Sequence, residues 1–489
     1  MPSASAAAAM PLGRANRLLA TTALMVASGM QAADATIANV ALPQLVSDLG
    51  GGLVLGAWVV TSYLSATAIV APLTGTLRRR FGARDLFIGA VGLFAIASLL
   101  CSLAQSPATI VLFRILQGAA GGVIHPLAQA ILLDLYPRAR HGRMISAWGA
   151  AVMVGPIVGP MLGGVLTDLA SWRLVFAVNL PIAAVAIWAA RRGLPKTAPS
   201  AALPIDMLGI ALLAIGVGAT QLFLTRQVGL SLGSPELIVE AASGAIAFAA
   251  LAVRVQRTGF AAVRSVVFAD INFAAAAFYN FVGSALLFVV IVFVPALSQG
   301  PLGYSATVAG LMLVPRGIAS MLMILLAGQF VDRMDGRILL AAGLGAMAAG
   351  LVMLSEARPP DALPIIVIGS TLQAIGGGTL LTCLNTIGFS SLAPELRTDA
   401  AGIYSLLRQL GCASGVALMT AVLHGRLAAE MNGLHDGLDA PSATDAPLFL
   451  EFASLQAYST SFREMAIAAL VIIPGVLLFR IGRGRLPGE

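Results

Sequence analysis

Apolar segments of about 20 residues recur from one end of this chain to the other, broken only by short polar connections, and this recurrence constrains the fold most strongly. In a bilayer core no water is available to backbone N–H and C=O groups, so a spanning segment must be a helix or part of a closed barrel. Barrel strands would alternate polar and apolar residues in stretches of about ten. These segments are twice as long and do not alternate. With 58% hydrophobic and 10% charged side chains over 489 residues, the chain has more apolar surface than a soluble core could hide. It reads as an all-α polytopic membrane protein with fourteen transmembrane helices. The first is placed at about 18 to 42 with Pro43 as its stop, the seventh and eighth at about 206 to 226 and 235 to 253, the thirteenth at about 400 to 424, and the fourteenth at about 463 to 481. The first apolar run is too long for a signal-peptide core, so a retained helix is expected.

The net charge of +7 and pI near 9.9 would suggest a nucleic-acid partner in a soluble chain. Here the basic residues sit in short loops and report topology. Arg14, Arg17, Arg78 to Arg80, Arg84, Arg138, Arg140, Arg143, Arg191, Arg192, Lys196 and most later basic residues fall on the side of the termini. Only Arg173, Arg226, Arg358, Arg426 and Arg463 face the other way. The bias puts both termini in the cytoplasm and leaves one large external loop at about 426 to 461. No GxxxxGK[ST] loop exists and the sole lysine, Lys196, is in a loop, which excludes ATP-driven transport within this chain. Cys101, Cys383 and Cys412 lie inside apolar stretches without metal-ligand spacing. No metal and no cofactor is expected.

The chain repeats itself. GTLRRRFGAR at 75 to 84 has a partner, GQFVDRMDGR, at 328 to 337, and RILQGAAGG at 114 to 122 parallels STLQAIGGG at 370 to 378. The offsets predict a six-helix bundle over 1–197, two inserted helices within 198–260 and a second six-helix bundle over 261–489. Duplication around a midplane site is the architecture of secondary transporters.

Asp34 is an ionisable group inside the first spanning helix, where charge is costly and usually functional. Helical rise puts it about 25 Å from Arg17 and about 13 Å from Pro43, so a buried carboxylate within reach of water from one side is expected. Arg114 enters from the opposite direction to about the same depth, and can pair with Asp34 or snorkel to the interface. Gln117 lies one turn deeper on the same face. In the fifth helix, Gly155, Gly159 and Gly163 stand four apart, with Gly149 six residues before them and Pro156 and Pro160 interleaved, the pattern of a hinge or a sealed helix interface. Trp58 and Tyr63 offer an aromatic wall to a ligand or serve as packing. His125 is a candidate titrating group or a hydrogen-bonded core histidine. Arg316 and Arg408 contact substrate or pair with helix carbonyls. One deep acid against three deep bases argues for neutral, monocationic or weakly anionic substrates over dications.

DATIANVALP, GTLRRRFGAR, RILQGAAGG, GPIVGPMLGG, SWRLVFAVNLPIA and IDMLGIALLAIG, taken in order, resemble the successive motifs of the drug:proton antiporter-2 family, the fourteen-helix branch of the major facilitator superfamily. The resemblance implies a bacterial inner-membrane, proton-driven exporter of small amphiphilic drugs or toxic metabolites. It assigns proton coupling to Asp34 and Arg114, and the antiporter motif to Gly155, Pro156, Gly159, Pro160, Gly163 and Gly164. Substrate contacts are expected from Asn39, Trp58, Tyr63, Gln117 and Arg316, and gating from the loops with Gly75, Arg79 and Gly82 and with Asp332 and Arg333. The family usually carries an acid where Arg79 stands, so the choice of gating loop stays open. A periplasmic adaptor is not readable from the sequence. A proton symporter importing a nutrient would use the same fold. A membrane enzyme or lipid sensor would need a catalytic cluster or a cytoplasmic domain, and neither is visible.

Overall fold

The computed structural model describes residues 13–137, 140–196, 206–226, 234–258, 265–331, 334–392, 396–437 and 446–479, and no strand occurs among them. Six helices come first. They are α1 Arg14–Leu49, α2 Gly52–Val70 continued through a 3-10 turn into Thr74–Phe81, α3 Ala83–Ser102, α4 Pro107–Leu135, α5 His141–Leu169, and α6 Arg173–Ala177 continued as Asn179–Gly193. The pair α7 Met207–Arg226 and α8 Pro235–Thr258 follows. The remainder comprises α9 Ile271–Gln299, α10 Ala306–Met312 continued as Val314–Val331, α11 Gly336–Ser355, α12 Ala362–Ser390, α13 Arg397–Gly437 and α14 Ala446–Val471.

Among the described residues, 13 helices are long and apolar enough to cross a membrane, and they correspond to α2 through α14. α1 is longer than most, at 36 residues, but Gln31, Asp34 and Asn39 dilute its apolar character. It is wrapped by α4, α5 and α6, and counting it gives the expected fourteen.

Local sequence sets the reversals. Gly50, Gly51 and Gly52 all hold positive φ between α1 and α2, a conformation that side chains resist, and Gly82 at φ 79 does the same between α2 and α3. α4 starts at a reciprocal cap, in which Ser106 and Thr109 each bond the other's backbone N–H, with Pro107 in the first turn. Since lipid supplies no hydrophobic drive between helices, close packing of small residues holds the bundle together. A Cβ on Gly193 of α6 would lie 2.3 Å from the Ala20 nitrogen of α1.

Two expected boundaries are corrected. Pro43 does not stop α1, which runs on to Leu49. Pro43 lacks the N–H that would bond the Asn39 carbonyl, and the adjacent Val40 carbonyl accepts from Gln299 of α9 at 2.8 Å, so a neighbouring helix supports the chain at this turn. The stretch at about 426 to 461 is mostly helix and not a loop, because α13 extends to Gly437 and α14 begins at Ala446. RLAAEM, right after the predicted end of the thirteenth helix, is rich in strong helix formers. α14 ends at Val471, ahead of Pro474 and a 3-10 turn over Ile473–Leu478.

α1 to α6 pack together, as do α9 to α14, and α7 lies across α2 and α13. We call the face where α1 begins the inner face and the opposite one the outer face. Besides the contact of α1 with α9, the two groups of helices meet along two seams. Along α5 and α10 the contact is backbone to backbone: a Cβ on Gly164 would sit 2.3 Å from the Ala306 carbonyl, and one on Gly310 2.2 Å from the Pro160 carbonyl. The Asp168 carboxylate, near the outer end of α5, accepts from the Ala306 and Thr307 N–H groups at 3.1 and 2.7 Å. Along α2 and α13 the arrangement differs. Near the inner face Ala68 and Leu406 join Leu213 and Val217 of α7 and Leu251 and Val255 of α8 in one apolar cluster. Near the outer face a cavity of about 330 Å³ remains between them.

Candidate functional site: a buried ion-paired centre

The Asp34 side chain is fully buried. Its Oδ2 accepts from Arg114 at 2.9 Å, and its Oδ1 accepts from the amides of Gln117 at 2.8 Å and Asn179 at 2.6 Å. α1 supplies the acid, α4 the guanidinium and one amide, and α6 the other amide. Arg114 also donates from Nε to the Val59 carbonyl at 3.0 Å and to Gln117 Oε1 at 2.7 Å, while its guanidinium lies 4.1 Å from the Tyr63 ring centroid. Ser98 of α3 accepts from Gln117 at 2.8 Å and from Asn179 at 3.3 Å. Buried charges survive only when paired and hydrogen-bonded, and both requirements are met here.

Arg114 therefore turns inward and does not snorkel: it is 1% exposed. The Asp34 carboxylate is buried, as expected, and at 0% exposed it is not in contact with water from either side in this arrangement. The middle of α1 is sheathed by its neighbours, and the donors of Arg114, Gln117 and Asn179 surround the carboxylate. Tyr63 is likewise no ligand wall. It is 1% exposed, with its hydroxyl accepting from Gln31 at 2.8 Å and its ring spent on Arg114. Asn39 is 1% exposed and donates to Ala35 of its own helix at 3.3 Å, so it is turned back on α1 rather than offered to a substrate. Trp58 is half-buried near the outer start of α2.

The glycines of α5 bear on this centre directly. A Cβ on Gly155 would lie 2.5 Å from the Ala33 nitrogen, on Gly159 2.6 Å from Thr36 Oγ1, and on Gly163 2.6 Å from the Ile37 carbonyl. These are the neighbours of Asp34 on α1. Gly164, one residue on, faces α10 instead. Pro156 and Pro160 lie within α5, and the Pro160 carbonyl is what Gly310 approaches. Gly149 has open space beside it.

The second group of helices holds a different polar centre. Arg316 of α10 donates to the Leu287 carbonyl at 2.8 Å and to Gln373 Oε1 at 3.0 Å, and Gln373 donates to the Leu286 carbonyl at 2.9 Å. Arg316 has no ion pair among the described residues, and its buried Nε has no hydrogen-bond partner. Glu240 pairs with Arg226 at 3.0 Å between α7 and α8. His125 packs edge-on against Trp148, which donates to Ser28 at 3.0 Å.

At the inner end of α2, Gly75 and Arg79 are exposed. Among the described residues Arg79 reaches only Thr76, while the neighbouring Arg78 pairs with Asp134 of α4, within the same group of helices. Asp332 and Arg333 lie outside the described residues. Outside the membrane segments, the Arg254 guanidinium bonded to Asp206 holds that carboxyl below the usual carboxylate range.

Asn179 and Ser98 were missed in the sequence. The signal for Asn179 was the one that exposed Asp34, a polar side chain in the apolar run AVNLPIA. Ser98, in FAIASLL, carries no such mark, because serine is common in spanning helices.

A helical bundle with one ion-paired acid sealed in its first helix, and a proline-rich helix joining that acid to a seam, defines a membrane transporter. The profile of the Major Facilitator Superfamily matches residues 24–416, and the chain belongs to that superfamily. Multidrug export protein EmrB of Haemophilus influenzae is 31% identical over 431 residues, covering 86% of this chain and 83% of that protein. EmrB of Escherichia coli is 32% identical, covering 85% and 82%. Fatty acid resistance protein FarB of Neisseria gonorrhoeae is 30% identical, covering 89% and 86%. Among solved structures, a bacterial homolog of the human lysosomal transporter Spinster, inward-facing and unoccupied, superposes with a TM-score of 0.67 at 15% identity, covering 96% of this chain and 100% of that one.

Proposed function

We propose that this chain is a proton-coupled antiporter that exports amphiphilic drugs or toxic metabolites across a bacterial inner membrane, with both termini and the inner face in the cytoplasm. The observation that carries the reading is the position of Asp34: its carboxylate holds three donors from α4 and α6, and its neighbours on α1 are in backbone contact with the α5 glycines. Protonation would remove the charge that Arg114, Gln117 and Asn179 converge on. Their charge-assisted bonds, each stronger than a neutral one, would weaken together. α1 would then shift against Gly155, Gly159 and Gly163, and α5 would carry the shift through Gly164 to the outer seam with α10. Proton binding at one buried acid would thereby bias which face of the transporter is closed. The names of the EmrB relatives and of FarB support export of amphiphiles. One proton moving down 100 mV supplies about 2.3 kcal/mol, enough to hold a neutral solute at a gradient of roughly fifty-fold.

The charge census bears on what is carried. Asp34 is engaged by Arg114, Glu240 by Arg226, and Arg316 is an uncompensated cation. A dication would meet no free deep carboxylate among the described residues, so neutral, monocationic or weakly anionic amphiphiles fit best. The test is drug-evoked proton release from inverted vesicles containing wild type or Asp34→Asn. Release is expected from wild type with a monocationic dye, less with a bivalent diamidine, and none from the variant. Full release from Asp34→Asn would remove the basis for the reading.

A further inference from the structure

The cavity near the outer face is bounded by both groups of helices: Leu42 of α1 and Ala57 of α2 on one side, Val292 and Ala296 of α9, Leu423 of α13 and Ala457 of α14 on the other. No charged residue lines it. Of its polar contributors, Thr420 spends its hydroxyl on the Val416 carbonyl at 2.8 Å, leaving Ser454 and Tyr458. At about 330 Å³ it falls at the small end of ligand pockets. Its outer wall includes Leu427 and Leu450, which belong to the helical extensions standing where the sequence suggested a loop. Along α1, Leu42 is about 12 Å further out than Asp34.

We propose that this cavity is an exit-side site for the hydrocarbon part of the exported amphiphile, with its polar end turned to outer water; the proposal rests on the export reading above. A half-open cavity with no charge and almost no free hydrogen-bonding capacity rejects headgroups and rewards methylenes. Because its walls come from both groups of helices, which must move relative to one another in alternating access, the site exists only in part of the cycle. That suits a travelling ligand and not a permanently held bilayer lipid. The seam geometry fits as well. α5 and α10 are closed near the outer face by main-chain contacts, so the outer half of the α2 and α13 seam is where room is left for cargo.

The experiment uses the full-length protein in nanodiscs and in proteoliposomes, with n-alkyl-trimethylammonium ions from butyl to hexadecyl as the probe. Equilibrium binding and proton release are measured for wild type, for Ala296→Phe, which fills the cavity, and for Phe293→Ala, which enlarges it. Each methylene taken into the cavity should tighten binding by up to about fourfold until the space is full. Ala296→Phe is expected to end that rise about three methylenes earlier, weakening long-chain binding by at least about tenfold, with the shortest probes unchanged. Phe293→Ala should move the limit to longer chains. An unchanged length limit in both variants, or an equal loss at every length as a displaced structural lipid would give, overturns the proposal. Failure of the export reading looks different: wild type would bind the series with its length limit but release no protons at any length.

Discussion

The polar centres of the two groups of helices share one glutamine and little else. RILQGAAGG and STLQAIGGG align Gln117 with Gln373. In the first group Gln117 stands between an arginine and an acid, and every charge has a counterpart. In the second, Gln373 accepts from Arg316 of another helix, no acid pairs with Arg316 among the described residues, and carbonyls do the balancing. A charge that can be cancelled by one proton sits in the first group, and a charge that cannot be switched near neutral pH sits in the second. The difference suggests a division of labour in which one half is driven and the other follows.

The strongest way to break this contrast is to remove its acid. Asp34→Leu is expected to abolish drug-evoked proton movement and to cost about 3–5 kcal/mol by leaving Arg114 buried without a counter-charge. The double change Asp34→Leu with Arg114→Met should regain most of that stability in a thermal-shift measurement while transport stays absent. Recovery of proton movement in the double variant would show that coupling lies elsewhere.

A second test uses the glycine after the glutamine. A Cβ on Gly118 would lie 2.3 Å from the Tyr63 carbonyl, whereas the matching position in the second group is already Ala374. Gly118→Ala should destabilise by about 1–3 kcal/mol through overpacking against backbone. Gly377→Ala meets only the end of the Leu287 side chain and should cost much less, as unfolding midpoints of the two variants would reveal.

Asn179→Ala ranks third. It removes one of three donors to the carboxylate, at about 1–2 kcal/mol, and should reduce export without abolishing it. Undiminished export at matched expression would mean that Asn179 positions nothing.

The smallest effect is predicted for the centre without an acid. Arg316→Met should leave stability within about 1 kcal/mol of wild type or raise it, because a buried unpaired cation costs more than it returns. Proton release should persist. A loss as large as that of Asp34→Leu would erase the distinction between the two halves.

Much of this was legible in the sequence, for identifiable reasons. Spanning helices are dictated by solvent, so apolar length alone located them, and a charge inside such a helix is costly enough to mark Asp34 and Arg114 and to make their meeting foreseeable. Asn39 misled, and Tyr63 stayed open between ligand wall and packing, because residue type says what a side chain can do and not which way it faces. Pro43 misled for a related reason: whether a proline ends a helix depends on the packing around that turn, here including Gln299 from 256 residues away, which no local rule contains. The α13 and α14 extensions were hidden by their charges, which read as loop although the residues between them favour helix.

Asp168 binds the start of α10 through the main-chain nitrogens of Ala306 and Thr307. Its partner is thus not a side chain at all. Evolution can change every side chain along that turn without undoing the clasp, provided no proline removes an N–H, so the fastening would leave little trace in a comparison of residue identities on α10. Dissolved salt would also find no opposing ionic side chain there to shield. Only the carboxylate half of the fastening is written in the genetic text, and the other half is a property that nearly every residue shares.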